Sequence, residues 1–141
     1  MSRRTWGHRL FGWGRLPKRL RGLVKSEGVC WVEEGVRITI TLRSFRAPGR
    51  YSARRRQSGS GALAVTSERL IVSMYRRPII DLRFDDPRFQ ALEIDAGERG
   101  LKIAADAGRL DERRSGKIRL YVRTDHAHEI DQWIPAPRQA V

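Results

Sequence analysis

The side chains best equipped for chemistry in this sequence are arginines. Arg54, Arg55 and Arg56 stand in a row, with Arg43, Arg46 and Arg50 before them and Arg76 and Arg77 after. A guanidinium is planar, always charged and forks onto phosphate or carboxylate oxygens. The chemistry implied is recognition of an anion. Arg43, Arg50, Arg54, Arg55, Arg56, Arg76 and Arg77 are therefore the candidate ligand-binding residues.

Nothing in the sequence suggests turnover, and no catalytic residue is assigned. Cys30 lies in an apolar run with Val29, Trp31 and Val32, a setting for a core residue rather than a nucleophile. Neither a Gly-x-Ser-x-Gly elbow nor a phosphate-binding glycine loop occurs. Asp85 and Asp86 precede Pro87, where carboxylates form turns. Asp125, His126, His128, Glu129 and Asp131 have metal-ligand types, but the two histidines are two apart and a helical zinc pair needs four. The expectation is a non-enzymatic chain with no metal, cofactor or small-molecule substrate.

The charge is unevenly placed. Residues 1–60 carry 15 Lys and Arg against 3 Asp and Glu, whereas residues 61–141 carry 14 against 13. A cationic half beside a balanced one implies an anionic partner: an acidic phospholipid surface or an acidic protein. Nucleic acid fits the charge but fits the aromatics less well. Tyr51 is the only aromatic residue between Arg50 and Arg56, and stacking platforms use several. The single cysteine fits a reducing compartment, and no apolar run approaches the length of a spanning helix. The expected location is cytoplasmic, peripheral on the inner face of the cell membrane.

The elements that would position these arginines follow from periodicity. Trp6, Leu10, Trp13, Leu16, Leu20 and Leu23 recur at three and four, one face of a helix. Pro17 suits a first helical turn and Gly28 a stop. Residues 1–28 are thus a basic amphipathic arm. Trp6, Leu10, Trp13, Leu16 and Leu20 would enter a membrane interface while the basic residues meet acidic lipids. The competing arrangement packs Leu20, Leu23 and Val24 onto the chain's own domain. From residue 36 the period is two. Seven short runs alternate, around 36–42, 63–66, 70–74, 80–84, 92–95, 101–105 and 118–122. Residues 44–60 read as a long polar loop. Ala127, Ile130, Trp133 and Ile134 share a helical face, with Asp125 as its N-cap. This predicts a mainly β domain over 29–135, a partly open antiparallel barrel or sandwich closed by a helix, and a tail over 136–141.

Seven meander strands and a C-terminal helix resemble the pleckstrin-homology-like barrel, including its bacterial and GRAM-type relatives. The local likeness lies in the run from Gly61 to Thr66, a T-x-x-R-L turn through Arg69 and Leu70, the strand around Ile80, and Trp133, which is similar to a tryptophan many such domains pack in their last helix. The resemblance implies that the loops after the first, third and sixth strands gather at one end. Arg46, Arg50, Arg54, Arg55 and Arg56, then Arg76 and Arg77, then Arg109, Arg113 and Arg114 would form a positive rim there. Lipid-binding members carry a basic residue on strand one and a basic-x-Arg pair entering strand two. Arg43 with Arg54 and Arg56 is similar to that.

Overall fold

The alternation of β-branched and polar residues over 36–42 does form a strand, but that strand runs well past both ends of the pattern. The computed structural model describes residues 16–135. Their order is α1 (Lys18–Glu27), β1 (Val29–Ala47), β2 (Arg50–Thr66), β3 (Arg69–Met74), β4 (Arg77–Arg83), a 3-10 turn (Pro87–Ala91), β5 (Glu93–Ala96), β6 (Gly100–Asp106), α2 (Ala107–Leu110), β7 (Ser115–Arg123) and α3 (Ala127–Gln132).

All strand pairs are antiparallel, in the order β4, β3, β2, β1, β7, β6, β5. The first strand therefore meets the last, and the sheet curls into a half-barrel. That architecture is compatible with a pleckstrin-homology-like barrel. The inner face holds Trp31, Val36 and Ile38 of β1, Leu63 and Val65 of β2, Leu101 and Ile103 of β6, and Leu120 and Val122 of β7. Alternate residues take the outer face, as the period of two requires.

Residues 44–60 are not a loop. They complete β1, turn at Pro48 and Gly49, and start β2. Gly49 sits at φ 72, a conformation glycine adopts freely, and Pro48 presets the residue before it. The apolar alternation fades here because neither face of this stretch is fully buried, so polarity did not mark the absence of a strand. At the β3–β4 hairpin Tyr75 and Arg76 both take positive φ, at 52 and 65, as two-residue turns matched to strand twist require.

The arm is the second departure. α1 lies on the outer face of the sheet, with Leu16, Leu20 and Val24 buried against Val32, Ala62, Ala64 and Ile71. Alanines at 62 and 64 leave room for the helix to approach. Leu16 and Leu20, expected at a membrane interface, are 4% and 3% exposed. Burying each such side chain contributes about 1.5–3 kcal/mol, which favours the sheet over water. Trp6, Leu10 and Trp13 lie outside the described residues.

Polar contacts fasten both ends of α1. The Leu16 N–H donates to Glu34 Oε2 at 3.0 Å. Arg69 Nε donates to both oxygens of Glu27 at 3.0 Å, and its other nitrogens reach Glu27 and Asp81. The Thr66 hydroxyl donates to Glu27 at 2.8 Å. Burial alone would raise the Glu27 pKa, but the hydrogen bonds from Arg69 and Thr66 and the Arg69 charge outweigh it and hold the carboxyl below its ordinary range.

At the other end of the chain, Glu33 links β1 to the approach to α3. It accepts from Trp31 Nε1 at 3.1 Å and from the Thr124 hydroxyl at 2.8 Å. The Thr124 oxygen also accepts from the His126 N–H; the N-cap of α3 is His126 rather than the expected Asp125, and no side chain caps its first turn. Ala127, Ile130 and Ile134 face the core, whereas Trp133 is 49% exposed and is not the packed tryptophan the resemblance implied. It is the C-cap that follows α3, past the last helical turn that faces the core. Trp31 is the tryptophan in the core cluster.

Replacing Glu27 by alanine should destabilise the protein by about 1.5–3 kcal/mol at neutral pH, the scale of hydrogen bonds to charged groups. A group with a depressed native pKa contributes stability above its unfolded pKa and loses it as pH falls through the native one. The gap between wild type and Glu27→Ala in urea denaturation should therefore shrink below the ordinary carboxylate range.

Candidate functional site: a basic sheet face

Below α1 the outer face of the sheet changes character. Arg37, Thr39, Thr41 and Arg43 of β1 point away from the core, opposite Ser60, Ser58, Arg56 and Arg54 of β2. On the other side of β1, Tyr121, Arg119 and Lys117 of β7 stand opposite Thr39, Thr41 and Arg43. Lys102, Ala104 and Asp106 of β6 continue these three rows. The result is a shallow groove of about 730 Å³ across four strands, closed at one edge by Arg109 of α2 and Glu93 of β5. Seven cations and two carboxylates line it.

The cations of this face are close together and, among the described residues, without ion pairs. Arg83 holds Glu68 and Asp85, Arg88 holds Asp86, and Arg113 and Arg114 hold Asp111, whereas Arg46, Arg50, Arg55, Arg77 and Arg99 elsewhere have no carboxylate within 4.0 Å among the described residues. Among the described residues, no carboxylate oxygen lies within 4.0 Å of the charged nitrogens of Arg43, Arg54, Arg56, Lys117 or Arg119. Arg43 has Arg54 directly opposite on one side and Lys117 on the other. Like charges directly across a sheet destabilise it. The row Arg54, Arg43, Lys117 thus sets three cations side by side and ends on Asp106, opposite Lys117 but not within ion-pair distance of them; departures from local pairing rules of this kind occur at functional or strained sites.

The candidate residues divide. Arg43, Arg54 and Arg56 converge on this face. Arg55 alternates to the inner face, beside Leu42 and Gln57. At the hairpin end Arg46 stacks on Tyr51 at 4.8 Å, and Arg50 stands 5.9 Å from the Phe45 ring. Arg76 lies with Leu16, Lys18 and Arg21 beside the start of α1. Strand direction does put the three expected loops at one end, but not at one level. Tyr75 bonds to Ser60, whereas β1 and β2 run on to Arg50, roughly 30 Å further along the strand. A single rim of loops is replaced by a staggered surface.

Lys102, Lys117 and Arg119 belong to the site although sequence reasoning placed them only as polar positions of strands. Their signal was present in the outward positions of the last strand, which are Lys117, Arg119, Tyr121 and Arg123. Bringing them beside Arg43 requires knowing that β1 pairs with β7.

The other constellations are occupied structurally. Asp85 and Asp86 bind Arg83 and Arg88, whose hydrogen bonds lower both pKa values. Burial pushes the Cys30 thiol up, away from thiolate chemistry. No group of three or more metal-ligating side chains occurs among the described residues. An apolar cavity of about 360 Å³ opens inside the half-barrel between β4 and β6, but its charged rim residues Asp81, Arg88, Asp111 and Arg114 are already paired. No helix among the described residues is long and apolar enough to cross a membrane. The chain matches no family model, no curated protein and no solved structure.

Relieving the cation row should stabilise the fold. Arg43→Gln is expected to gain up to about 1 kcal/mol in denaturant unfolding at low salt. The gain should shrink at high salt, where the wild type is screened.

Proposed function

We propose that this chain is a non-catalytic binding module of the pleckstrin-homology-like kind, similar to GRAM-type and bacterial domains of that barrel, and that it docks on acidic phospholipid headgroups. The observation that carries the reading is the clustering of seven cations, without ion pairs among the described residues, on one outer face of β2, β1, β7 and β6. A headgroup phosphate supplies the charge that Arg43, Arg54 and Lys117 lack, through guanidinium forks and an ammonium contact. Each cation near an acidic bilayer contributes about 1 kcal/mol. Tyr51, 56% exposed near the hairpin end, has the amphipathic ring that favours the interface. Such a module would work at the cytoplasmic surface of the cell membrane, as a peripheral protein.

One finding favours a second reading. Leu16, Leu20 and Val24 are buried on the sheet, so the described part of the arm presents no apolar face to a bilayer. That suits a protein-interaction module, with the same cations meeting an acidic protein. Nucleic acid is less favoured, because Tyr121 is the single aromatic residue lining the groove.

Co-sedimentation with vesicles separates these. The full chain should pellet with phosphatidylserine-containing vesicles at low salt and stay in solution with phosphatidylcholine alone. Arg43→Gln, Arg54→Gln and Arg119→Gln together should weaken retention by about 3 kcal/mol, more than a hundredfold. Retention that ignores these substitutions, or no retention at low salt, would overturn the lipid reading.

A further inference from the structure

β2 has neighbours on both sides over only part of its length. From Gly61 to Val65 it lies between β1 and β3. From Arg50 to Ser60 it pairs with β1 alone, because the β3–β4 hairpin turns over at Tyr75 and Arg76. The last main-chain hydrogen bond across that boundary is the Tyr75 N–H donating to the Ser60 carbonyl at 3.1 Å. The Tyr75 hydroxyl reaches the Ser58 carbonyl at 3.4 Å. Both carbonyls therefore point to the open side of β2. Along an antiparallel pair, alternate residues direct their backbone groups to the same side. The register is unbroken from Ser60 to Arg50, so Ser52, Arg54 and Arg56 turn their N–H and C=O groups to that open edge, where no strand among the described residues meets them.

We propose that this edge receives an extended acidic segment of another protein as an added strand. Three features select that occupant. The edge is regular, with no proline from Arg50 to Ser60 and no bulge there, and the device that guards it is charge: Arg50, Arg54, Arg55 and Arg56 repel a cationic strand and admit an acidic one. Its outward side chains are Arg54 and Arg56, which have no carboxylate partner and would lie beside alternate side chains of the new strand. Its inner side borders a groove of about 240 Å³ lined by Ile40, Leu42, Phe45, Ile79 and Ile118, and also by Arg50, Arg55, Gln57 and Arg114. Side chains of an added strand alternate between these two faces. The chemistry that fits is an alternation of acidic and apolar residues over five or six positions, with main-chain bonds supplying affinity and the two faces supplying specificity. A second copy of this chain is disfavoured, because edge-to-edge pairing would set Arg54, Arg55 and Arg56 against the same three residues. Both proposals draw on the Arg54 and Arg56 side chains, but only the added strand engages the main-chain groups at the edge of β2, so the two fail separately: edge amides unprotected by peptide count against the strand alone, and vesicles not retained count against the headgroup site alone.

The test is amide exchange followed by NMR with a capped six-residue peptide of alternating Glu and Val. The peptide at millimolar concentration should slow exchange at Ser52, Arg54 and Arg56, and leave Arg55 and Gln57, whose amides face β1, unchanged. Arg54→Pro removes one edge donor and leaves the β1 ladder intact, and it should weaken binding roughly tenfold or more. Arg54→Gln keeps the donor and should weaken binding less. The same peptide with Lys for Glu should not bind. The proposal is overturned if the three amides are unaffected by the Glu peptide, if Arg54→Pro binds it as well as wild type, or if the Lys peptide binds equally. Protection that rises with protein concentration alone would also overturn it, in favour of a self-paired edge.

Discussion

A single inserted residue decides what each face of this sheet presents. Gly35 is the extra residue of a β-bulge: Glu34 pairs with Ala62 and Val36 with Gly61, so β1 advances two residues while β2 advances one. Before the bulge, Val32 and Glu34 face outward to α1 while Trp31 and Glu33 face inward. After it, Val36 and Ile38 face inward, and Arg37, Thr39, Thr41 and Arg43 outward. An unbroken alternation would have sent Arg37 and Arg43 into the core and the valine and isoleucine to water. A one-residue slip flips every side chain that follows. Gly35 holds φ 79, a region costly to side chains other than glycine, so the residue type and the parity switch are one feature.

Given that switch, the two halves of the outer face take different roles. The half over β1, β2 and β3 is apolar and small-residued, and the chain covers it with its own helix, locked by Glu27, Arg69 and Glu34. The half over β2, β1, β7 and β6 is cationic, and no described residue neutralises it. Several carboxylates of the second half of the sequence are spent locally, on Arg83, Arg88, Arg113 and the start of α2, and only Glu93 and Asp106 of that half line the cationic face. The excess charge of residues 1–60 therefore survives folding as a surface, supplemented by Lys102, Lys117 and Arg119 from the balanced half.

Much of this was legible in the sequence, for identifiable reasons. Strands buried on one face announce themselves by alternation, so all seven were found. Pro17 and Gly28 bracket α1 as their backbone preferences dictate. Three things were not legible. Residues 44–60 are a strand pair without an apolar signature, since their pairing rests on backbone bonds and a Pro–Gly turn. The stripe Leu16, Leu20 and Val24 has the same spacing whether it faces a bilayer or a sheet, and only the presence of Ala62, Ala64 and Ile71 across from it decides. Lys117 and Arg119 join Arg43 through a pairing of the first strand with the last, which no local pattern encodes.

The central claim is that the outward cations of β1, β2 and β7 form one binding surface for acidic headgroups. The most direct measurement is a backbone NMR titration with bicelles, neutral and then doped with phosphatidylserine. The account predicts perturbations confined to Arg43, Arg54, Arg56, Lys117, Arg119 and their neighbours, appearing with the acidic lipid and reversed by salt, with α1 undisturbed. Perturbations centred on Leu20 and Val24, or none at the sheet face, would contradict it.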